Sequence, residues 1–163
     1  MKQKIENKLS HINEEGKASM VNIDEKNITK RIAIASSKVF LNNIAYKLVK
    51  ENKSKKGDVL NTSRIAGIIA SKKTSELIPL CHQINLDKVN IDFSFSDDDN
   101  CIFIKSTAIA TDKTGVEMEA LIATSIASLT IYDMLKAVDK KVKITDVVLD
   151  YKDGGRSGKF VRD

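Results

Sequence analysis

The 163-residue sequence predicts an α+β fold, a mainly antiparallel sheet covered by helices, one of them long and buried. Three observations predict it. Val89, Ile91, Phe93 and Phe95 alternate with Asn90, Asp92 and Ser94, the period of a half-buried strand. A turn cluster over 97–100 and an apolar return over 101–109 make that strand one arm of a hairpin with a loop of about four residues. Between Ala120 and Tyr132 the chain is apolar or small nearly all round, as in a helix buried on more than one side. Strands and helices do not alternate in strict βαβ order, which favours α+β over a parallel α/β sheet.

Taken in order, the β-branched and small residues of 31–35 predict a strand. Leu41, Ile44, Ala45, Leu48 and Val49 fall at helical spacing, so 40–50 is an amphipathic helix running into a lysine-rich loop over 51–56. A second helix is expected over 60–72, with Ile65, Ile68 and Ile69 facing inward. Pro79 ends the segment that follows, since it has no N–H and restricts its predecessor. After the hairpin, Thr114-Gly115-Val116-Glu117 has the form of a capping box, and the long helix is expected from there to about Val138. Its Ala123, Ser125, Ala127 and Ser128 would admit the close approach of another helix, one from a second subunit included. A last strand over 141–149 shifts its inward phase, which predicts a bulge at Thr145-Asp146. The Gly-rich loop of 154–158 is expected to be flexible, as are residues 1–10 and 159–163.

One proline, seven glycines and no repeat argue for a single domain over 1–163. With 42% hydrophobic and 30% charged residues the chain is globular rather than disordered. Cys81 and Cys101 read as reduced thiols of a cytoplasmic protein, and Cys81 as a small buried hydrophobe. Residues 1–13 are too polar for a signal peptide, and 120–132 too short to span a bilayer, so no membrane partner is expected. The net charge of +5 suits nucleic acid, an anionic membrane or a substrate with several negative charges, and composition does not choose among them.

Four groups of residues could carry chemistry. His82 titrates near neutrality and can move a proton or donate to a phosphate, although a histidine satisfied at the edge of the core is an equal reading. His11 lies in a polar segment and has no such case. Glu117 and Glu119 open the long helix, but residues two apart share no helix face, and Glu117 is already the capping-box partner. Asp133 and Lys136 stand at i and i+3; they are either a surface pair or an aspartate positioning a lysine in a desolvated cleft, where burial lowers its pKa. Lys55, Lys56, Lys152 and Arg156 sit in or beside glycine-containing loops where a phosphate can be met. The C-terminal loop is not a Walker loop, because Asp153 stands where glycine is needed and Phe160 follows Lys159. No metal or other cofactor is expected, and a Mg2+ accompanying a triphosphate has no support in the sequence. Fourteen residues separate Glu119 from Asp133, about 21 Å along a helix. One small site containing both therefore requires two subunits or a broken helix, and no Gly or Pro interrupts the run.

Lys56-Gly57-Asp58-Val59, Arg64-Ile65-Ala66-Gly67-Ile68, Leu77-Ile78-Pro79-Leu80-Cys81-His82, the KTGVEMEA run from Lys113, the LTIYDMLKAV run from Leu129 and the Gly154-Gly155 loop occur in that order. Together they resemble the cyclic pyranopterin monophosphate synthase family of molybdenum-cofactor biosynthesis, from Ser10-His11-Ile12 to Ser157-Gly158. The resemblance implies a ferredoxin-like domain and a homohexamer, a trimer of dimers with inter-subunit sites. It implies a lyase that converts (8S)-3',8-cyclo-7,8-dihydroguanosine 5'-triphosphate, a small-molecule nucleotide, to cyclic pyranopterin monophosphate and pyrophosphate. By motif, Lys56 and Lys136 move protons and Asp133 orients and supports the reaction. Leu80, Cys81, His82, Glu117, Met118 and Glu119 hold the substrate, and Arg31, Lys152 and Arg156 face the triphosphate. Gln83 departs from the family's usual proline, Asn22 from its aspartate and Arg156 from its lysine.

The alternative is a small basic nucleic-acid-binding module. Against it, the eight aromatic residues lie mostly at core-phase positions and no recognised motif is present. A third reading, an inactive assembly subunit, does not explain why every candidate proton carrier is retained.

Overall fold

The computed structural model describes residues 11–13 and 15–163. The expectation of flexibility over 1–10 lies outside them. The element order is β1 (Thr29–Phe40), α1 (Asn43–Lys50), α2 (Val59–Ser71), α3 (Thr74–Leu77), β2 (Leu86–Ser96), β3 (Cys101–Asp112), α4 (Glu117–Leu135), β4 (Lys143–Asp153) and β5 (Phe160–Val161). The sheet runs β2-β3-β1-β4-β5 with every neighbouring pair antiparallel. The order β2-β3-β1-β4 around two helical crossovers is the ferredoxin-like arrangement.

β1 is longer than its apolar run because it is central, bonded along its length to β3 and over most of it to β4. That bonding carries Ser36, Ser37 and Lys38 into the strand and moves the start of α1 from the expected 40 to Asn43. There Asn42 accepts a hydrogen bond from the Ala45 amide at 2.8 Å. Period two puts Arg31, Ala33, Ala35, Ser37 and Val39 on the buried face of β1. β4 shifts register where Asp146 and Val147 lie opposite Ser37, with Asp146 at φ 54°, so the expected bulge is present. A second shift occurs near Asp150. At the C-terminus, Phe160 and Val161 pair with Lys152 and Tyr151 at the sheet edge.

The inward face of α2 is only in part the expected one: Ile68 packs against the core. Val59, Ser63, Gly67, Ala70 and Ser71 are buried, whereas Ile65 and Ile69 are 51% and 53% exposed. α2 lies so close to α4 that a Cβ on Gly67 would stand 2.6 Å from the Ala123 carbonyl oxygen and 2.5 Å from Ile91 Cδ1. Only small residues fit that seam. Two of the small residues of α4 are thus covered within the chain: Ala123 by α2, and Ser128 by β1 through a 2.8 Å bond to Ser37.

The expected capping box does not form. Val116 is the N-cap of α4 and no side chain caps it; the Glu117 carboxylate turns to Lys152 instead, 2.9 Å away. α4 ends at Leu135, short of Val138, where Asp139 draws the chain into a turn by accepting from the Asn42 and Lys141 amides at 2.6 and 2.9 Å. Among the described residues, α4 is the one helix long and apolar enough to cross a bilayer, but ten of its residues are buried against the sheet and α2.

The core has two parts. Under α1, α2 and the C-terminal half of α4 lie Val39, Ile91, Ile102, Ile104, Ile131 and Leu135. Under the N-terminal end of α4 lie Ala33, Ala35, Ala108, Ala110, Val116 and Ala120. Between the parts runs a polar seam, in which Ser106 donates to the Ala120 carbonyl at 2.6 Å. The alanines let this end of the helix sink onto the sheet, and that places Glu119 inside.

Candidate active site

The sequence-predicted residues gather into two clusters at opposite ends of α4. The closed cluster surrounds the helix N-terminus. Arg31 at the edge of β1 and Lys152 on β4 share the helix-facing side of the sheet, since Lys152 pairs with Ala33. Leu80, Cys81 and His82 come from the extended segment after α3. Ile78 there has φ −113° and ψ 107°, the conformation that Pro79 imposes on it.

Two adjoining cavities open here. The larger, of about 640 Å³, is lined by Leu80, Cys81, His82, Glu117, Met118, Glu119 and Lys152, together with Leu149 and His11. The smaller, of about 270 Å³, is lined by Lys26, Arg31, Lys113, Lys152 and Arg156 with Gly115, Gly155 and Ser157. Lys26, Thr114, Gly115, Glu117, Lys152 and Ser157 belong to both, so the cavities form one bent cleft. The Gly154 turn behind it requires glycine: its φ is +91°, and a Cβ would lie 1.9 Å from the Lys30 carbonyl oxygen. The Thr29 hydroxyl donates to the Gly154 carbonyl at 2.7 Å.

Electrostatically the cleft is divided. The Arg31 guanidinium is buried and donates to the carbonyls of Asp112 and Lys113 at 3.1 and 3.0 Å. Lys152 is half-buried against Glu117. Glu119 is 3% exposed. Burial, followed by the charges of Glu117 and Asp112, pushes its carboxyl up to about 7 despite a bond from its own amide. A carboxyl poised there can give or take a proton at neutral pH. Cys81 is half-buried on the cavity wall rather than enclosed in the core. Burial and the nearby Glu119 raise its pKa, so it is a thiol and not an activated nucleophile.

The open cluster lies at the other end. Lys136 Nζ is 2.6 Å from Asp133 Oδ1, and Lys56, from the loop before α2, donates to the Asp133 carbonyl at 2.9 Å. The two lysines that the motifs single out for proton transfer and the aspartate expected to orient the reaction are therefore brought together. Their surroundings differ from the expected desolvated cleft, since the Lys136 and Asp133 side chains are 54% and 62% exposed. The Lys136 pKa is raised, not lowered, by the hydrogen bond and charge of Asp133. Lys136 and Lys56 together hold the Asp133 carboxyl below its ordinary value, the Lys136 hydrogen bond first. α4 is unbroken from Glu117 to Leu135, so within one chain the two clusters stay about 21 Å apart.

Sequence reasoning passed over Lys26, Lys113 and Thr114 as cleft residues and dismissed His11. Lys113 and Thr114 lay inside a quoted motif, but the capping-box reading gave Thr114 another task. Lys26 and His11 reach the cleft only by tertiary placement. Asn22 carries out the local work open to an aspartate there, since its side-chain oxygen accepts from the Asp24 amide at 2.9 Å. Among the described residues no three His, Cys, Asp or Glu side chains converge as they would around a metal ion.

A profile of the MoaC family matches residues 20–155. Among curated proteins, the cyclic pyranopterin monophosphate synthase of Campylobacter jejuni subsp. jejuni serotype O:23/36 is 50% identical over 155 residues, covering 95% of this chain and 99% of that protein. The synthases of Syntrophomonas wolfei and Staphylococcus haemolyticus are each 49% identical, over 94% and 95% of this chain and 98% and 99% of theirs. A designed protein with a ferredoxin fold aligns with 81% of the chain and 85% of its own, at 16% identity and a TM-score of 0.34; the fold assignment rests on strand order, not on that likeness.

Proposed function

The chain belongs to the MoaC family, and from that membership we propose that it is a cyclic pyranopterin monophosphate synthase, a lyase of molybdenum-cofactor biosynthesis. Its substrate is the cyclised dihydro-GTP and its products are the cyclic pyranopterin phosphate and pyrophosphate. The observation that carries the reading is the bent cleft. Its narrow arm is lined by cations suited to a triphosphate, and its wider arm, lined by Leu80, Cys81, His82, Met118 and Glu119, suits the fused ring system. The near-complete coverage of synthases at about half identity supports it independently.

In this reading Arg31, Lys152 and Arg156 hold the triphosphate, and the cationic arm steadies the departing pyrophosphate. His82 and Glu119 hold the purine-derived rings, and Glu119, near neutrality, is equipped to exchange a proton with them. Lys56 and Lys136 carry the remaining proton transfers, with Asp133 orienting Lys136. Since the two clusters stay about 21 Å apart in one chain, the working site pairs the closed cluster of one subunit with the open cluster of another, in a homohexamer built as a trimer of dimers. The exposed Ile65, Ile69 and Leu129 on α2 and α4 supply apolar surface for subunit contacts. Burial in such a contact would oppose the rise that Asp133 imposes on Lys136. The enzyme is cytoplasmic in this reading, where its nucleotide substrate is made. The nucleic-acid alternative gains no support, because four of the five cleft cations are tied to protein oxygens around one concavity.

The test supplies the purified protein with the cyclised dihydro-GTP and follows pyrophosphate and pterin together, with Lys136→Ala as control. Stoichiometric formation of both, lost in the variant, is expected. A folded oligomer that turns over no substrate refutes the proposal.

A further inference from the structure

The Asp133 and Lys136 side chains are more than half exposed, so their placement depends on the backbone that carries them. α4 ends at Leu135, and the turn beyond it is organised by one buried side chain. Asp139 is 5% exposed. Its Oδ1 accepts from the Lys141 amide at 2.9 Å and its Oδ2 from the Asn42 amide at 2.6 Å. The Val138 and Asp139 amides both donate to the Leu135 carbonyl, at 2.8 and 2.9 Å.

Stopping a helix needs only local contacts such as the one to Lys141. The Asn42 contact is different, because it joins residues 97 apart in sequence and reaches the junction of β1 and α1. Asn42 is the N-cap of α1: its side-chain oxygen accepts from Ala45, and its carbonyl accepts from the Tyr46 amide at 2.9 Å. Its side-chain amide donates back to the Val138 carbonyl at 3.3 Å. From there α1 runs to Lys50, and the chain turns through bonds from the Lys53 amide to the Leu48 carbonyl and from the Gly57 amide to the Ser54 carbonyl. Lys56, in that turn, returns to α4 through its bond to the Asp133 carbonyl. The contacts close a circuit from the end of α4 through Asp139, Asn42, α1 and Lys56 back to Asp133. All three members of the open cluster ride on it.

We propose that Asp139 is a positioning residue for the reaction: by bonding the end of α4 to the start of α1, it sets Lys56 against the Asp133–Lys136 pair. The inference rests on the reading of Lys56 and Lys136 as proton carriers. A carboxylate suits the task because both of its oxygens accept, whereas a carboxamide accepts through one and donates through the other. Neither Asp139 nor Asn42 lines the cleft at the opposite end of α4. Loss of the contact therefore acts on turnover rather than on the grip on substrate.

The test compares full-length oligomers of wild type, Asp139→Asn and Asp139→Ala, well below each unfolding midpoint. Turnover of the cyclised dihydro-GTP and amide hydrogen exchange are measured on the same samples. In Asp139→Asn, kcat is expected to fall by about tenfold or more, since a displacement of about 1 Å at a reacting group can cost about a hundredfold. KM is expected to stay within about threefold. Exchange is expected to quicken together over 43–57 and 133–141 and to stay unchanged over 113–121. Asn42→Ser keeps the cap oxygen and the backbone amide, and its kcat is expected within about threefold of wild type. A residue that only stabilises the fold lowers the unfolding temperature and leaves kcat of the folded oligomer alone. That result, or a KM that rises as kcat falls, overturns the proposal. Faster exchange confined to 139–141 also overturns it, because the circuit is then not coupled. If Asp139→Ala does not fold, Asp139→Asn, which retains one acceptor, decides the matter. A wild type without turnover refutes the proposed activity and with it the catalytic part of the inference. The exchange pattern still decides whether Asp139 couples Lys56 to Lys136.

Discussion

Replacing Glu119 with glutamine tests how the closed end of the site is built. The carboxyl titrates at about 7 in the folded chain against an ordinary 4.5, with burial the chief cause and the negative charges of Glu117 and Asp112 behind it. Between those values the unfolded chain has lost the proton that the folded chain still holds. The folded state therefore binds more protons, and stability falls as pH rises through this window, from near 4.5 until the fall is complete above about 7. Below the window both states are protonated and the group contributes no difference. A separation of about 2.5 units at about 1.4 kcal/mol each amounts to about 3 kcal/mol. Glutamine has nearly the same shape and does not ionise, so Glu119→Gln should match wild type at the acid end and exceed its stability by up to about 3 kcal/mol at the alkaline end. Urea unfolding followed by circular dichroism, at fixed subunit concentration and at several pH values from about 5 to about 8, measures the difference. A difference that stays constant across the window refutes the reasoning. It would mean that a cation meets Glu119 in the assembled protein and holds it ionised.

Other substitutions probe other links. Lys56→Ala removes a side chain whose contact is an exposed bond to the Asp133 carbonyl; the melting temperature is expected to stay put while turnover of the cyclised dihydro-GTP falls by about a hundredfold or more. Gly67→Ala should destabilise the chain by about 1–3 kcal/mol in urea unfolding, because the clash with the Ala123 carbonyl and Ile91 outweighs the gain of up to about 1 kcal/mol in helix propensity. Inactive Glu119→Gln and inactive Asp133→Asn chains, co-folded in equal amounts, should regain part of the activity through hybrid sites that contain one intact copy of each cluster. No recovery in verified mixed oligomers would remove the shared site.

What the sequence disclosed followed from how local the cause was. The hairpin of β2 and β3 was legible because alternation is set residue by residue against one buried face. The bulge at Asp146 was legible because it breaks that alternation. α2 was partly misread because its buried face was assigned to its largest apolar residues. The partner helix comes so close that only Ser63, Gly67 and Ala70 fit between, and Ile65 and Ile69 are left outside. The capping box failed for a similar reason. Thr114 and Glu117 have the right spacing, but Lys152, 35 residues away in sequence, takes the carboxylate. The burial of Glu119 had no local sign at all, since it depends on Ala33, Ala35, Ala108 and Ala110 lying beneath the helix. The bare residues suggested Asp133, Lys136 and His82 as chemistry and Lys55, Lys56, Lys152 and Arg156 as phosphate-facing loop cations; the motif resemblance was needed to add Leu80, Cys81, Met118 and Arg31.

The roughly 21 Å between the clusters also bears on how a buried carboxyl and an exposed ion pair, shifted in opposite directions, sit on one helix. The closed end raises a carboxyl toward neutrality by removing water and surrounding it with other carboxylates. The open end does the reverse, since Asp133 keeps Lys136 charged in solvent. If the two ends met within a single chain, Lys136 would pair with Glu119, ionise it and lose its own freedom to give up a proton. A rigid, glycine-free α4 prevents that encounter in the isolated subunit. On the proposed assembly the two groups approach each other only across a subunit boundary, with substrate between them. Within each subunit their tuning, which runs in opposite directions, is thereby kept separate.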